Sequence, residues 1–423
     1  MNAGTLNFDG IDYPDGQASD PATLGLMQGA PPPMSARIRF EDDRFFDFPQ
    51  IRWSLSHMRE LVPTVEVWRG EGPVSDLGAV NGDAAEIDAL VFEDLNGRQR
   101  TWASSLPDTY TDGIVVLHRG KRIYERYLGA LKPQRSHACF SVTKSYVGVL
   151  VAALIHEGVL DANRKVPYYL EEFAHTAYAD ASLRNVLDMQ IGVAYSELYS
   201  DPMAQIWDYC RAGGLRARPA GYAGPGNIYD FLLTLRPEGE HGQAFAYKTV
   251  NTELLCWIMK RVTGVPLADM LSERIWSQLG CEQDAYLSVD SIGVPFGGGG
   301  LNASLRDLAR FGELMRCGGA FDNRQVIPAA VVDDIRRGSD PGKFAKAGYT
   351  LLPGYSYRSK WWISHDGMGT FEARGIHGQR LSIAPRAELV IARFASHPIA
   401  ASAANDPITL PAFSALARML MAS

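Results

Sequence analysis

Segments with a strand pattern lie near both ends of this chain, and a long, mainly helical stretch separates them. Ile114–His118 and Arg122–Tyr127 alternate around Arg119-Gly120-Lys121 and predict a hairpin. Arg380–Ala384 and Glu388–Phe394 predict two more strands, joined by a turn. Because a strand needs neighbours for its backbone hydrogen bonds, these segments predict one sheet that the chain leaves and later completes.

The domain organisation follows from this return. Residues 1–75 hold a proline run at 31–33 and acidic clusters, and they predict an extended arm packed on a body. Residues 76–160 and 290–423 predict an α/β (α+β) domain, an antiparallel sheet flanked by helices. Residues 161–289 predict an inserted, mainly helical domain. We expect an active site between these two domains.

A hydroxyl and an amine share one helical turn in Ser141-Val142-Thr143-Lys144. Residues three apart on a helix lie on one face, so the amine of Lys144 can accept the proton of the Ser141 hydroxyl. The almost wholly apolar residues 145–155 predict a buried helix behind this pair. A helix-capping serine followed by a solvated lysine is the alternative, and the four-residue motif alone favours it.

Acyl transfer by such a pair requires further groups. A lysine amine is protonated at neutral pH unless burial or nearby positive charge lowers its pKa, and the leaving group needs a proton. Tyr247, just before a helix predicted to begin near Thr252, could relay that proton, although core packing is the ordinary role of a tyrosine. The Ser141 amide and an edge strand at Gly375–Gln379, where glycines allow close approach, could stabilise the oxyanion.

Composition and motifs exclude several other classes of function. The net charge is -7 and no Lys/Arg run occurs, which argues against a nucleic-acid partner. Ligand spacings such as His-x-x-x-His, a Gly-x-Ser-x-Gly elbow and a phosphate-binding loop are all missing, so we predict no metal and no cofactor. The glycine run at 297–300 is better explained as a loop passing close to the cleft.

The cellular location is predicted from cysteine usage and from hydropathy. Five cysteines, an odd number without a C-x-x-C spacing, indicate reduced thiols. The N-terminus lacks the pattern of a secretory signal, and no stretch of about 20 apolar residues predicts a membrane span. We therefore expect a cytoplasmic protein without a membrane partner. The sequence leaves the oligomeric state open, and a homodimer is compatible with it.

The order Ser-x-x-Lys, Tyr-x-Thr and a glycine-containing C-terminal segment resembles the penicillin-recognising serine hydrolases. That group includes class C β-lactamases, D-alanyl-D-alanine peptidases and related esterases. Within it, the chain most resembles the 6-aminohexanoate-dimer hydrolases, the amidases of nylon oligomers. The resemblance runs from about residue 50 to the C-terminus. It rests on Arg52-Trp53, Leu61-Val62-Pro63, Thr109–Asp112, Ser141–Ser145, Val186–Gln190, Arg306–Arg310, Trp361-Trp362 and Gly375–Gln379.

The resemblance implies a β-lactamase/transpeptidase-like fold and a role for each matching residue. Ser141 would be the acylated nucleophile and Lys144 its base. Tyr247 would hydrogen-bond to both and protonate the leaving group. The backbone amides of Ser141 and Ile376 would form the oxyanion hole, with Gly375 beside the substrate.

Two aromatic residues match substrate-binding positions of the nylon-oligomer hydrolases. Tyr199 matches a loop tyrosine that closes over the substrate and contacts the scissile amide nitrogen. Trp362 matches a tryptophan of the same cleft. From the sequence alone, Tyr199 is equally an ordinary loop aromatic, and Trp362 is better explained as a core residue.

The chain departs from the group's pattern at three points, of which one is Thr249 in the Tyr-x-Thr motif, where β-lactamases have asparagine. Ala373-Arg374-Gly375 stands where the group usually has Lys-Thr-Gly or His-Thr-Gly, so β-lactam carboxylate capture is in doubt unless Arg374 substitutes. An acidic residue near the substrate ammonium is expected, but either Asp208 or Cys210 could occupy its position. His377 is interpreted as structural.

The leading hypothesis is a serine hydrolase that cleaves a small linear amide, resembling the 6-aminohexanoate dimer, through an acyl-enzyme. A carboxylesterase of the same fold, acting on short-chain esters with little amidase activity, is the alternative. A binding or sensor protein that acylates without turnover belongs to a different class. The presence of Ser141, Lys144 and Tyr247 together argues against it.

Overall fold

The computed structural model describes residues 4–8, 10–78 and 84–422. Residues 79–83, next to the predicted boundary between arm and body, lie outside the described residues. The strands are β1 (Thr5–Phe8), β2 (Ile11–Pro14), β3 (Thr64–Val67), β4 (Val91–Glu93), β5 (Gln99–Thr101), β6 (Thr111–His118), β7 (Lys121–Tyr127), β8 (His137–Ala138), β9 (Val193–Ala194), β10 (Arg236–Pro237), β11 (Ala285–Ser288), β12 (Leu301–Ala303), β13 (Ala320–Phe321), β14 (Arg324–Gln325), β15 (Ser356–Arg358), β16 (Trp361–Ile363), β17 (Phe371–Arg374), β18 (Arg380–Ala384) and β19 (Leu389–Ala395).

Most of the helices in the described residues lie between β7 and β15 along the chain. They are α1 (Ile51–Ser54), α2 (Ala84–Asp88), α3 (Trp102–Asp108), α4 (Val142–His156), α5 (Val166–Tyr169), α6 (Leu183–Leu187), α7 (Gln205–Ala212), α8 (Ile228–Leu233), α9 (Val250–Thr263), α10 (Leu267–Arg274), α11 (Leu305–Arg316), α12 (Ala329–Arg337), α13 (Pro341–Ala345) and α14 (Asp406–Ala422).

A seven-stranded antiparallel sheet unites the two strand-rich ends of the chain. Its order is β15-β16-β17-β18-β19-β6-β7, and β19 pairs with β6. Alternate residues of β6 enter different apolar cores: Val115 packs in the core that contains α4, and Val116 in the core that contains α14. Period-two alternation therefore puts helices on both faces of the sheet. The predicted antiparallel sheet and its distant return are confirmed.

The prediction of an edge strand at Gly375–Gln379 is wrong. β17 ends at Arg374, and Ile376–Gly378 form a short 3₁₀ turn in which His377 has a φ of 59°. β17 also has a neighbour on each side, because the β15–β16 hairpin lies outside it. That hairpin turns through Ser359 and Lys360, both at positive φ. Three-residue strands joined by a turn without glycine give too short a pattern to reveal a hairpin in the sequence.

The arm contributes more regular structure than an extended segment. It contains the β1–β2 hairpin and α1, and its β3 pairs with β11 in a second sheet ordered β3-β11-β12-β8. Arm residues such as Phe45 and Ile51 pack in one apolar cluster with Ala138 and Tyr286 of the body. The arm is thus packed against β8, the strand that leads to Ser141.

Candidate active site

The chain turns sharply from β8 into α4 at Ser141. Phe140 adopts a left-handed φ of 43°, and the Cys139 amide donates to the Leu301 carbonyl at 2.8 Å. The Thr143 hydroxyl donates to the Phe140 carbonyl at 2.6 Å. These bonds fix the turn, so that the Ser141 side chain projects from the start of a helix buried from Val142 to Leu154.

Ser141 and Lys144 are in direct contact, as the motif predicted. Lys144 Nζ lies 2.7 Å from Ser141 Oγ and 2.5 Å from the carbonyl oxygen of Gly298, and the side chain is 1% exposed. Both acceptors are uncharged, and no carboxylate among the described residues forms an ion pair with this amine. Burial lowers the pKa of Lys144 to about 8, while Glu197 and Glu253 oppose the shift. A useful fraction of the amine is therefore neutral near pH 7–8.

A buried glutamate holds the loop that receives Lys144. Glu253 accepts hydrogen bonds from the amides of Gly297 at 2.9 Å and Gly298 at 2.8 Å, and from the Tyr209 hydroxyl. A Cβ on Gly298 would lie 2.8 Å from Glu253 Oε1, so a side chain there would displace the loop. The glycine run lets this loop pass close to the cleft, as its sequence suggested.

Tyr247 lies beside the Ser–Lys pair. Lys144 Nζ is 5.1 Å from the centre of the Tyr247 ring, and Tyr247 and Ser141 line the same part of the cleft. Burial, reinforced by the negative charge of Glu197, raises the pKa of Tyr247 well above its usual value, although its interaction with the nearby Ser141 hydroxyl opposes this. The phenol is therefore protonated at neutral pH.

Trp362 fits both interpretations made from the sequence. It is 6% exposed and belongs to an apolar cluster with Phe245 and Tyr357, as a core residue would. It also lines the cleft, with its ring centre 5.6 Å from that of Tyr247. Trp362 thus packs against the Tyr247 ring and restricts its orientation.

Gly375 brings the end of β17 against the start of α4. A Cβ on Gly375 would lie 2.8 Å from the Cys139 carbonyl oxygen and 3.2 Å from the Ser141 amide nitrogen. Only glycine permits this approach. The amides of Ser141 and Ile376 donate no hydrogen bond to another group in the part of the chain that the structure describes, and both residues line the cleft.

The residues on either side of Gly375 have different surroundings. Ala373 is fully buried in the apolar core, whereas Arg374 is 5% exposed and lies over the Trp362 ring at 5.2 Å. His377 Nδ1 lies 2.7 Å from the His397 carbonyl oxygen, and burial lowers the pKa of this imidazole to about 4. A neutral, buried His377 agrees with the structural interpretation.

Arg374 belongs to a buried ionic cluster in the wall of the cleft, which we call the ion cluster (Glu372, Arg374, Arg380 and Asp406). Asp406 accepts hydrogen bonds from both arginines, and Glu372 lies 3.6 Å from each of them. Burial alone would raise the pKa of Asp406, but the two guanidinium groups hold it below its usual value. The guanidinium of Arg374 is thus already paired with carboxylates of the protein.

A carboxylate that the sequence analysis missed lies in the cleft. Glu197 accepts hydrogen bonds from the Thr249 amide and, at 2.5 Å, from its hydroxyl, and it also bonds with Tyr199. Burial raises the pKa of Glu197, and the positive charge of Lys144 opposes the rise. Its position in the segment of Tyr199 was the signal available in the sequence.

The structure distinguishes Asp208 from Cys210. Asp208 is exposed and pairs with Arg211 at 3.1 Å, away from the cleft. Cys210 lines the cleft, and burial raises the pKa of its thiol to about 12. The side chain that faces the cleft from this helix is therefore uncharged.

The cleft consists of two lobes that meet at Ser141, Glu197, Tyr199, Ile376 and Ala401. The narrow lobe has a volume of about 300 Å³ and is lined by Tyr247, Tyr349, Trp362 and Arg374, among others. The wide lobe has a volume of about 840 Å³ and lies between the arm and the segment 198–216. Tyr247 lines the narrow lobe and is absent from the wide one.

Two general features of the described residues bear on function. None of their helices is long and apolar enough to cross a membrane. Across the ranges 4–8, 10–78 and 84–422, histidine, cysteine, aspartate and glutamate side chains form no group of three or more that could hold a metal ion.

Comparison with known proteins agrees with this geometry. Residues 103–410 match the family described as beta-lactamase. The chain is 35% identical over 399 residues, 94% of each protein, to the 6-aminohexanoate-dimer hydrolase of Paenarthrobacter ureafaciens. A solved structure from Bacillus anthracis, provisionally named a 6-aminohexanoate-dimer hydrolase, is 30% identical with a TM-score of 0.82, covering 90% of this chain and 97% of that one. Simvastatin synthase from Aspergillus terreus shares the fold at 14% identity, with a TM-score of 0.56 over 76% of this chain and 97% of that one.

The chain therefore belongs to the β-lactamase family and is a serine hydrolase of that fold. Within the family it is similar to 6-aminohexanoate-dimer hydrolases over nearly its whole length. The resemblance predicted from its motifs is confirmed.

Proposed function

We propose that this protein cleaves a small linear amide through an acyl-enzyme formed on Ser141. The observation that carries the proposal is the 2.7 Å contact between Lys144 Nζ and Ser141 Oγ, with the pKa of Lys144 lowered to about 8. A buried amine that is partly neutral can deprotonate an adjacent hydroxyl. The relative from Paenarthrobacter ureafaciens, named for its action on the 6-aminohexanoate dimer, supports an amide substrate.

We assign a residue to each step of acylation: a base for the serine, donors for the oxyanion and a proton donor for the leaving group. The neutral amine of Lys144 accepts the Ser141 proton as Oγ attacks the carbonyl carbon. The amides of Ser141 and Ile376 donate to the developing oxyanion. Tyr247, a protonated phenol beside Ser141, donates its proton to the leaving nitrogen and regains one from Lys144. Water then enters on the side of Lys144 and Tyr247 and hydrolyses the acyl-enzyme.

One observation favours the carboxylesterase alternative. The side chain facing the cleft near the expected acidic position is the neutral thiol of Cys210, which offers no charge to a substrate ammonium. The carboxylates that line the cleft in the described residues have partners of their own: Glu197 accepts from Thr249, and Asp406 from the two arginines of the ion cluster. The third, Asp47, lies 3.7 Å from Arg44. An ester needs less help from Tyr247, because an unprotonated alkoxide leaves far more readily than the anion of an amine, which has to be protonated before it can leave.

Initial rates on three substrates test the proposal: a short p-nitrophenyl ester, the 6-aminohexanoate dimer and nitrocefin. Ser141→Ala should abolish every activity, and Ser145→Ala is the matched control. Ser145 lies one turn further along α4 and donates to the Lys360 carbonyl at 2.8 Å, so its loss should leave the chemistry in place. Equal rates for wild type and Ser141→Ala would refute the proposal. Rapid ester cleavage without amide cleavage would establish the carboxylesterase.

Intact-protein mass spectrometry tests the sensor hypothesis. A turnover enzyme mixed with excess ester should show the acyl adduct only while substrate remains. An adduct that persists for hours on Ser141 would identify a protein that acylates without turnover. No adduct should form on Ser141→Ala in either case.

A further inference from the structure

The position of Tyr247 assigns the two lobes of the cleft to the two halves of a substrate. This assignment rests on the proposed function, in which Tyr247 protonates the leaving atom. A proton donor must lie within hydrogen-bond reach of the atom that it protonates. Because Tyr247 lines the narrow lobe and not the wide one, the leaving group belongs in the narrow lobe.

The acyl group must then extend into the wide lobe. Ser141 and Ile376 line both lobes, so a carbonyl held between their amides stands at the junction. With the leaving group directed towards Tyr247, the remaining substituent of the carbonyl carbon points to the other side. The junction residue Tyr199 lies between the two halves.

The wide lobe is built to receive an apolar group. One wall comes from the arm and carries the rings of Phe8, Tyr13, Phe46 and Phe48. The opposite wall carries the apolar side chains Leu198, Ile206, Trp207 and Leu215. Apolar and aromatic lining of this kind is typical of sites that bury apolar ligands.

The charged groups at the wide lobe are already paired within the protein. Arg216 donates to the Asp43 carbonyl at 2.9 Å, pairs with its carboxylate at 3.3 Å and stacks on Trp207 at 4.7 Å. Arg44 lies 3.7 Å from Asp47, and both side chains remain largely exposed, at 65% and 46%. Apart from these groups and the junction residue Glu197, the lining of the wide lobe is mostly aromatic and apolar.

Two apolar side chains at the wide lobe are strongly exposed. Ile11 is 55% exposed and Leu198 is 58% exposed, although both line the cavity. A long acyl chain lying between them would remove apolar surface from water. The volume of about 840 Å³ is far larger than the roughly 300 Å³ available to the leaving group.

We propose that the linear substrate of the proposed function carries an apolar acyl chain in the wide lobe and a compact leaving group in the narrow lobe. In the reaction, the Ser141 Oγ–carbonyl bond forms and the bond to the leaving atom breaks. The Ser141 proton passes to Lys144, and the Tyr247 proton passes to the leaving group. Residues of the arm therefore select the acyl half of the substrate.

Two substrate series test this assignment in the wild-type protein. The first keeps p-nitrophenol as leaving group and lengthens the acyl chain from acetyl to dodecanoyl. We expect kcat/KM to rise about three- to fourfold per methylene until the chain spans the lobe. The second keeps a hexanoyl group and lengthens the alcohol from methanol to octanol, and here kcat/KM should fall. A flat first series, or a rise in the second series instead, would overturn the proposal.

A matched pair of variants narrows one lobe at a time. Ser200 lines only the wide lobe and Ser402 only the narrow one. Ser200→Trp should shorten the best acyl chain and leave the order of leaving groups unchanged. Ser402→Trp should leave the best acyl chain unchanged and penalise larger alcohols. The reverse pattern would place the acyl group in the narrow lobe.

Failure of the inference can be told apart from failure of the proposed function. If Ser141→Ala abolishes cleavage but chain length has no effect, the serine mechanism stands and the lobe assignment falls. If cleavage persists in Ser141→Ala, both fall. The wild-type series decide the matter even if a tryptophan variant does not fold.

Discussion

Lys144 and the ion cluster both contain buried cations with carboxylates nearby. They differ in whether a carboxylate is in direct contact with the cation. Lys144 contacts a hydroxyl and a carbonyl, with its carboxylates Glu197 and Glu253 further away. In the ion cluster, Asp406 binds Arg374 and Arg380 directly. The pKa of Lys144 consequently falls to about 8, whereas pairing with Glu372 and Asp406 raises that of Arg380 despite its burial.

The difference shows how burial serves two purposes. A buried cation with carboxylates in contact keeps its charge and fixes the elements that carry it, here β17, β18 and α14. A buried cation without such contact becomes easier to deprotonate and can act as a base. The distance to the nearest carboxylate, and not the degree of burial, distinguishes the proposed base Lys144 from the structural arginines of the ion cluster.

Removing the amine should have the largest effect. Lys144→Met should lower kcat by about four orders of magnitude or more, because no other amine, imidazole or carboxylate of the described residues forms a hydrogen bond with the Ser141 hydroxyl. The melting temperature should stay level or rise, since a buried cation without a contacting carboxylate is replaced by an apolar chain. Steady-state kinetics and calorimetry on the same preparation measure both. A variant that keeps a tenth of its activity would show that another base operates.

Breaking the ion cluster should cost stability. Asp406→Asn leaves two buried guanidinium groups without their shared carboxylate, and we expect about 3–5 kcal/mol less unfolding free energy in urea titrations. Asp208→Asn is the control, because this exposed partner of Arg211 should change stability by less than about 1 kcal/mol. Similar losses in the two variants would mean that the cluster contributes no more than a surface pair.

The dependence of kcat/KM on pH should follow the protonation of Lys144. Only the neutral amine acts as base, so kcat/KM should fall about tenfold for each pH unit below the Lys144 pKa of about 8 and level off above it. Rates measured from pH 5 to 9.5 in constant ionic strength give the midpoint. A plateau reaching down to pH 6 would contradict the lysine as the titrating base.

Neutralising a distant carboxylate should have the smallest effect. Glu253 favours the charged form of Lys144, so Glu253→Gln should shift the kinetic midpoint downwards by up to about one pH unit. The exposed Glu240→Gln should leave the midpoint unchanged. An upward shift would show that loss of the glycine-loop geometry outweighs the change in charge.

The strands and the Ser–Lys helix were accessible from the sequence because local patterns encode them. Period-two alternation located β6, β7, β18 and β19, and the apolar run after Ser141 located α4. The motif spacing also brought Ser141, Lys144 and Tyr247 to one place. Their roles as nucleophile, base and proton donor remain predictions.

The parts that the sequence analysis missed depend on contacts between distant residues. In the sequence, Glu253 is indistinguishable from any other helix residue. Only the structure shows that its carboxylate accepts hydrogen bonds from the amides of Gly297 and Gly298. The ion cluster likewise joins Glu372 to Asp406 across separate elements. Neither spacing nor composition reveals such pairs, and the short strands β15 and β16 carry too few residues to show a period.

The pairing of β6 with β19 also governs when the protein can fold. Residues 111–118 are synthesised well before their partner strand at 389–395. Until then β6 has only β7 beside it, and the turn at Gly375 cannot reach Ser141. Contacts between such distant segments are slow to form and leave strand edges unprotected meanwhile. A nascent chain halted before residue 389 therefore carries its serine and lysine without the completed sheet that positions the oxyanion site, and the open edge of β6 is exposed to aggregation.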